Sequence, residues 1–187
     1  QLGALRPDLT VEPLRGNLDT RLRKLDEGHY DAIVLAAAGL KRLGLAARIR
    51  SLFEPAQMLP CAGQGALGLE VRADAADLLE RIGTLTHRPT MLAVQAERAV
   101  SRALGGSCSM PLAAHATWNA GRLELHAALG HAGEPLAPLL KAVVSQPVAD
   151  DAGARAMGAQ VARELHAQGA GAYLSALPAA TAPSGPA

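Results

Sequence analysis

The sequence has few aromatic residues, few cysteines and almost no net charge. Its aromatic residues are one Trp, two Tyr and one Phe, and its cysteines are Cys61 and Cys108. Two cysteines are too few for a disulfide framework, and neither has the spacing of a zinc site, so we expect no metal. A formal charge of +1, without basic residues interleaved with aromatic ones, indicates no nucleic-acid partner. We therefore expect any recognition of anions to be local.

Long hydrophobic runs are also missing, since no stretch of roughly 18 apolar residues occurs. The sequence shows no signal-peptide pattern either. We therefore expect a cytoplasmic protein that does not insert into a membrane. Hydrophobic residues nevertheless make up 49% of the 187 residues, which is enough for one or two modest cores.

In the first half of the chain, predicted helices and strands alternate, which is typical of an α/β layer. Asn17 can cap a helix that ends near Gly28 and places Leu18, Leu22 and Leu25 on one face. Residues 31–39 form a continuous apolar run, typical of a strand covered on both faces of a parallel sheet. Further elements predicted in this half are a short helix that opens over residues 39–44, a strand over residues 66–72 and an amphipathic helix over residues 74–85.

The hydrophobic patterns in the second half of the chain predict a separate α+β unit. The expected elements are a helix over residues 90–104, strands over 112–118, 122–129 and near 139–144, and a helix that Asp150 or Asp151 caps and that runs to about residue 168. Asn119-Ala120-Gly121 is a hairpin signal between the first two strands. Glu97 and Arg98 are expected on the polar side of the first helix. The order predicts a three-stranded antiparallel sheet with helices on one face, and a disordered tail over residues 178–187.

The two cysteines have different surroundings in the sequence. Cys108 lies in GGSCSMP (residues 105–111), where glycine and serine supply exposed backbone and few apolar partners. A thiol on such a loop can be reached and alkylated. For Cys61 we expect the ordinary role of a small buried hydrophobic residue.

Several motifs are spaced along the chain. They are LRGN with TRL (14–22), YDA (30–32), AGLKRLG (38–44), LP with GQGA (59–66) and ERAVSRALGGSCSMPLA (97–113). In this order they resemble the motifs of the porphobilinogen deaminase, or hydroxymethylbilane synthase, family. The last of them resembles the family's cofactor-attachment signature, with Met110 where a β-branched residue is usual. The resemblance extends to about Ala176. The family's first part has no counterpart in this sequence.

The resemblance implies a partial α/β domain of the periplasmic-binding-protein type, followed by the small α+β domain. We expect the chain to start inside the family's second domain. The division that the resemblance implies is a partial second domain (residues 1–62), a returning segment of the first domain (63–86) and a C-terminal α+β domain with the cofactor cysteine (87–177).

For function, the resemblance implies a transferase of tetrapyrrole and heme biosynthesis. Enzymes of this family join four porphobilinogen molecules head to tail and release ammonia at each addition. They extend the product from a dipyrromethane cofactor that a thioether holds on the loop cysteine. By position in the motif, that cysteine is Cys108.

The resemblance also implies binding residues for the acetate and propionate groups of the pyrroles. Arg15, Arg21 and Arg42 match family arginines that bind these carboxylates, and Arg15 and Arg21 would also contact the cofactor. Gln64 would hydrogen-bond the cofactor, and Gly39 would allow close approach of the backbone. The alternatives are solvated surface charge for the arginines, a loop amide for Gln64 and an ordinary turn for Gly39.

The family's catalytic aspartate lies in the part without a counterpart here, and Asp19, Asp26 and Asp31 do not match it. We therefore expect a chain that is inactive alone, from an enzyme that is monomeric at full length. One alternative is a noncatalytic anion-binding module of the periplasmic-binding-protein type, which would leave the Cys108 thiol unmodified. A cysteine hydrolase using His87, His115 or His126 is a weaker alternative, because no spacing indicates a dyad.

Overall fold

The computed structural model of the protein describes residues 1–106, 110–134 and 136–176. Cys108 and the tail over residues 178–187 lie outside the described residues. The elements along the chain are α1 (Leu2–Leu5), α2 (Leu18–Asp26), α3 (Ala37–Arg42), a 3-10 turn (Ala46–Arg48), α4 (Ala76–Gly83), α5 (Arg88–Ala103), β1 (Leu112–Asn119), β2 (Arg122–Leu129), β3 (Leu140–Gln146), α6 (Asp151–Ala167) and α7 (Ala170–Ser175).

The three strands form an antiparallel sheet in the order β1-β2-β3. On the face toward the helices, Ala116 of β1 lies opposite Leu125 of β2, and Leu125 lies opposite Val144 of β3. Alternate residues of β2 point to this face, and Leu123, Leu125 and Leu129 are fully buried. Helices α5 and α6 pack on the same face and close the core. The predicted mixed fold with a three-stranded antiparallel sheet is therefore confirmed.

Helices α5 and α6 pack closely because small residues meet at their contact. A β-carbon added at Gly158 of α6 would lie 2.3 Å from the carbonyl oxygen of Ala96 and 2.5 Å from the β-carbon of Ala99. Both alanines belong to the buried face of α5. The backbones therefore approach to a distance that only glycine allows at this position.

The helix starts and the hairpin turn agree with the sequence predictions. The side chain of Asn17 accepts a hydrogen bond from the Thr20 amide at 2.9 Å, and Asp150 accepts one from the Gly153 amide at 2.8 Å. The hairpin turn has positive φ at both central residues, 47° at Ala120 and 77° at Gly121. These values correspond to the type I′ turn that suits the twist of antiparallel strands.

Residues 1–86 are packed much less than the rest of the described chain. Leu22 and Leu40 are the only buried hydrophobic residues among them, while Leu52, Phe53 and Leu67 are exposed. This half contains helices and turns but no strand. A periplasmic-binding-protein-like domain is therefore not confirmed by the structure.

Two strand predictions in this half are wrong. Residues 31–36 are irregular and lead into α3, and residues 66–72 form no strand. Val34 is 53% exposed and Leu67 is 83% exposed, so neither run is covered on both faces. A strand needs a neighbour for its backbone hydrogen bonds, and residues 1–86 supply none. Apolar composition alone was therefore not sufficient to form a strand.

Both edges of the sheet are partly covered by other segments of the chain. At the β3 edge, the Gln168 side chain accepts from the Lys141 amide at 3.3 Å and donates to the Lys141 carbonyl at 2.8 Å. At the β1 edge, the Ala114 amide donates to the Pro60 carbonyl at 3.1 Å. This second contact joins residues near Pro60 to the C-terminal unit. Among the described residues, no helix is long and apolar enough to cross a membrane.

Candidate functional site

The structure describes the residues on both sides of the segment that contains Cys108. After Leu104, Gly105 and Gly106 adopt positive φ values of 111° and 65°, which turn the chain away from the end of α5. At the far end, Met110 is buried in the core cluster. The prediction that the Cys108 thiol is accessible stays a prediction, because this residue lies outside the described part of the chain.

A groove of about 420 Å³ runs between α5 and the loop of residues 62–68 and reaches Gly106. We call it the α5 groove. Arg98, Ser101 and Arg102 line its helix side, and its apolar lining includes Val94 and Leu67. Within the described residues, neither arginine forms an ion pair with a carboxylate. The groove thus places two cations near Gly106, which precedes Cys108 by two residues in the sequence.

A buried carboxylate lies behind one wall of this groove. Glu97 is 5% exposed, and its two oxygens each accept a backbone hydrogen bond of 2.7 Å, from Gly63 and from Ala116. Nδ1 of His115 lies 3.6 Å from the same carboxylate. The prediction that Glu97 occupies the polar side of its helix is therefore wrong, whereas Arg98 is exposed as expected.

Arg15 and Arg21 lie on either side of the turn that begins α2. Nε of Arg21 donates a hydrogen bond of 2.7 Å to the Gly16 carbonyl, so this side chain braces the turn. Arg15 is exposed. Asp19 lies in the first turn of the same helix. At the other end of the helix, Asp26 pairs with Arg48 at 2.5 Å.

Gly39 and Arg42 both lie on α3, three residues apart. Arg42 is exposed near the end of this helix, and Gly39 is exposed within it. No atom lies within 4 Å of the position that a β-carbon on Gly39 would take. Space for a ligand therefore exists beside Gly39, but the described protein atoms do not require glycine there.

Gln64 and Cys61 contact each other in the turn that precedes α4. The Cys61 thiol donates to Oε1 of Gln64, with the two atoms 3.0 Å apart, and both residues are exposed. The prediction that Cys61 is buried is therefore wrong. Its turn follows Pro60, where the chain runs along the edge of β1 and not through the core.

The three histidines considered for a hydrolase have polar neighbours within their own unit. Nδ1 of His87 is 2.8 Å from the Thr90 hydroxyl, and Nε2 of His126 is 2.5 Å from Glu124. His115 adjoins Glu97. Among the described residues, no group of three or more His, Cys, Asp and Glu side chains could hold a metal ion.

Shifted pKa values occur away from these residues. A side-chain hydrogen bond from Arg6 lowers the pKa of Asp8, and Arg72 lowers the pKa of Asp74 in the same way. In each pair the two side chains are exposed and lie two residues apart in the sequence. Neither pair belongs to the residues that line the α5 groove.

Sequence reasoning did not select Glu97, Arg98 or Arg102 as site residues. The spacing could have identified Glu97, which lies four residues after Ala93 and three before Val100, on the stripe of buried positions. Arg98 and Arg102 are four residues apart and therefore share a face of α5. Their position in the groove depends on the 62–68 loop, which no local pattern places against this helix.

Two protein-family models match the chain. Residues 1–80 match the model described as porphobilinogen deaminase, dipyromethane cofactor binding domain. Residues 91–167 match the model described as porphobilinogen deaminase, C-terminal domain. The two models cover both the loosely packed half and the C-terminal unit.

Several proteins named porphobilinogen deaminase are similar to the chain. The one from Albidiferax ferrireducens is 63% identical over 166 residues, which are 89% of this chain and 52% of the relative. The one from Paraburkholderia phymatum is 54% identical over 184 residues, 98% of this chain and 55% of the relative. The one from Burkholderia thailandensis is 55% identical over 181 residues, 97% of this chain and 54% of the relative. The chain therefore spans about half the length of these relatives.

Proposed function

This chain belongs to the porphobilinogen deaminase family, and we propose that it forms part of a hydroxymethylbilane synthase. The whole enzyme would be a cytoplasmic monomer that condenses porphobilinogen. Each addition forms a carbon–carbon bond between two pyrroles, breaks a carbon–nitrogen bond, releases ammonia and returns a proton from the attacking ring. The chain itself would supply the tether and part of the anion-binding surface.

The tether in this proposal is Cys108, through a thioether to dipyrromethane. When bound, this cofactor supplies the terminal pyrrole to which the first porphobilinogen is added. The protein's part is to hold the sulfur on a loop that can follow a lengthening product. Two consecutive glycines with positive φ before the loop support this role, because they impose little steric constraint on the backbone.

The observation that carries the proposal is the α5 groove, which brings Arg98 and Arg102 to the start of the tether loop. A tethered pyrrole chain carries an acetate and a propionate on every ring, so it needs fixed cations near its anchor. Guanidinium groups bind carboxylates with two parallel hydrogen bonds and thereby give direction as well as charge. The apolar lining at Val94 and Leu67 suits the faces of the pyrrole rings.

Arg15, Arg21 and Arg42 would bind further carboxylates of the cofactor and substrate. The exposure of Arg15 and Arg42 supports this role, while Arg21 already uses its Nε at Gly16 and would offer its terminal nitrogens. Gln64 would donate its amide N–H to the cofactor, since its oxygen already accepts from Cys61. The space beside Gly39 would admit the ligand.

The chain alone should not turn over porphobilinogen. None of Asp19, Asp26 and Asp31 matches the family's catalytic aspartate, which would stabilise positive charge on the reacting pyrrole. We propose that residues 1–62 belong to a periplasmic-binding-protein-like second domain, residues 63–86 to the first domain and residues 87–177 to the C-terminal domain. The exposed Leu52 and Phe53 would then pack against the remainder of the enzyme.

The test joins this chain to the upstream half of the Albidiferax ferrireducens relative and measures porphobilinogen consumption. We expect turnover by the joined protein and none by the chain alone. Arg102→Ala should raise KM about tenfold, because one charge-assisted carboxylate contact is lost. Arg163→Ala, on the exposed side of α6, is the matched control and should leave KM unchanged.

Two outcomes would count against this function. A joined protein that folds but consumes no porphobilinogen would contradict the assignment itself. Reversible binding of porphobilinogen to an unmodified Cys108 thiol, without turnover, would favour the noncatalytic anion-binding module instead.

A further inference from the structure

Residues 59–63 are held at three points along their length, and we call them the strap. At the first point, the Gln1 side chain donates to the Leu59 carbonyl at 2.9 Å and accepts from the Leu59 amide at 2.8 Å. At the second, the Pro60 carbonyl accepts from the Ala114 amide at 3.1 Å. At the third, the Gly63 amide donates to Glu97 at 2.7 Å. The strap thus crosses from the loosely packed half onto the C-terminal unit.

The third point is unlike the other two because a single side chain joins three elements. Glu97 belongs to α5, accepts from Ala116 of β1 through one oxygen and accepts from Gly63 of the strap through the other. Its carboxylate is almost completely buried, so water cannot replace either donor at low cost. The relative positions of helix, strand edge and strap therefore depend on this carboxylate.

We propose that Glu97 is a positioning residue that fixes the strap against α5 and thereby sets the width of the α5 groove. Ala62 and Gly63, at the end of the strap, line one wall of that groove, and Arg98 and Arg102 line the other. The wall held by Glu97 continues directly into Gln64. The effect on catalysis rests on the proposed function, whereas the positioning itself does not.

Both carboxylate oxygens of Glu97 act as acceptors, so the isosteric substitution Glu97→Gln tests the proposal. Glutamine has the shape of glutamate but offers one acceptor oxygen, and its NH2 group would face one of the two backbone N–H donors. Glu97→Gln therefore leaves one buried N–H without a partner and adds a donor–donor contact. Because Ala116 is also held in the β-sheet and Gly63 is in a loop, we expect the strap to be released.

The experiment measures amide hydrogen exchange in the full chain, with and without Glu97→Gln. We expect exchange at Gly63 to become at least about tenfold faster, while exchange at Leu125 in the core changes less than about twofold. Glu164→Gln on α6 is the matched control, since the Glu164 carboxylate accepts from the Gln160 side chain and, among the described hydrogen bonds, from no backbone N–H. The control should change neither amide.

Two results would overturn the positioning role. Unchanged exchange at Gly63 would show that the carboxylate does not hold the strap. An equal increase at Gly63 and Leu125 would show a general loss of stability and no specific positioning. If Glu97→Gln does not fold, Glu97→Asp serves the same test, because its shorter side chain cannot reach both donors and should also release Gly63 selectively.

A second measurement tests the consequence for the groove. In the joined protein that consumes porphobilinogen, Glu97→Gln should raise KM at least about threefold and change kcat less, because the groove widens while the tether remains. An unchanged KM would contradict the effect on the groove. If the joined protein without this substitution shows no turnover, the proposed function fails, and the exchange experiment still decides the positioning role.

Discussion

Single residues decide how closely the main helices of the C-terminal unit can pack. Gly158 lies where α6 touches the backbone of α5, and the neighbouring contacts come from Ala96 and Ala99. Alanine is the better helix former in isolation, by about 1 kcal/mol. Packing and helix propensity therefore predict opposite effects for a methyl group at position 158.

We expect packing to dominate in Gly158→Ala. The added carbon would lie 2.3 Å from a backbone oxygen, so the two helices must separate, and stability should fall by about 1–3 kcal/mol. Chemical denaturation of the purified chain measures this change. Gly171→Ala, where a β-carbon on α7 would have no neighbour within 4 Å, is the control and should not lower stability. A Gly158→Ala variant as stable as the control would contradict the packing account.

Helix caps were predicted correctly from the sequence, whereas the burial of two individual side chains was not. Asn17 and Asp150 were predictable as caps, because a capping side chain acts within three residues of its own position. Cys61 and Glu97 were not predicted correctly. The spacing of Glu97 from Ala93 and Val100 indicated a buried position, but its partner Gly63 lies in the strap, which is distant in sequence and which no single-sequence pattern reports. The position of Cys61 likewise depends on the distant contact between Pro60 and the β1 edge.

At the scale of elements, the hairpin between β1 and β2 carries a small amount of strain. Ala120 has a φ of 47°, a left-handed conformation that costs a residue with a β-carbon about 1 kcal/mol. Asparagine tolerates this conformation better, and Asn-Gly is the preferred pair in a type I′ turn. The hairpin therefore forms a type I′ turn although Ala120 is an unfavourable residue for its first central position.

Ala120→Asn should stabilise the chain by about 0.5–1 kcal/mol, since it relieves this strain without changing the register of the strands. The midpoint of chemical denaturation gives the result directly. Gly121→Ala is the opposite control, because it places a β-carbon at a φ of 77° and should destabilise. A decrease in stability for Ala120→Asn would show that the turn is not the type I′ turn assigned here.

The predicted strands formed in the C-terminal unit but not in residues 1–86, and the reason is the presence or absence of a pairing partner. The strands of the C-terminal unit find their partners within about 30 residues, and their apolar residues have α5 and α6 to pack against. Residues 31–39 and 66–72 have strand-like composition, yet no strand among residues 1–86 lies beside them. Composition predicts the tendency to form a strand, and pairing decides whether it forms.

At the scale of the whole molecule, the chain combines a packed C-terminal unit with a half that leaves large apolar side chains exposed. Leu5, Val34 and Leu69 are each more than half exposed. The family models match both parts, and the relatives are about twice as long as the matched region. This combination agrees with the proposal that the first half completes its fold against the remainder of the enzyme.

If Cys108 holds the pyrrole tether, tryptic mass spectrometry of the joined protein will detect the bound pyrroles on its peptide. Cleavage after arginine places Cys108 in the peptide of residues 103–122 and Cys61 in the peptide of residues 51–72, so each digest contains its own control. We expect the first peptide to carry the added mass of two substituted pyrroles and the second to be unmodified, and Cys108→Ala should abolish the addition. An active protein with a free Cys108 thiol, or with the addition on Cys61, would contradict the account.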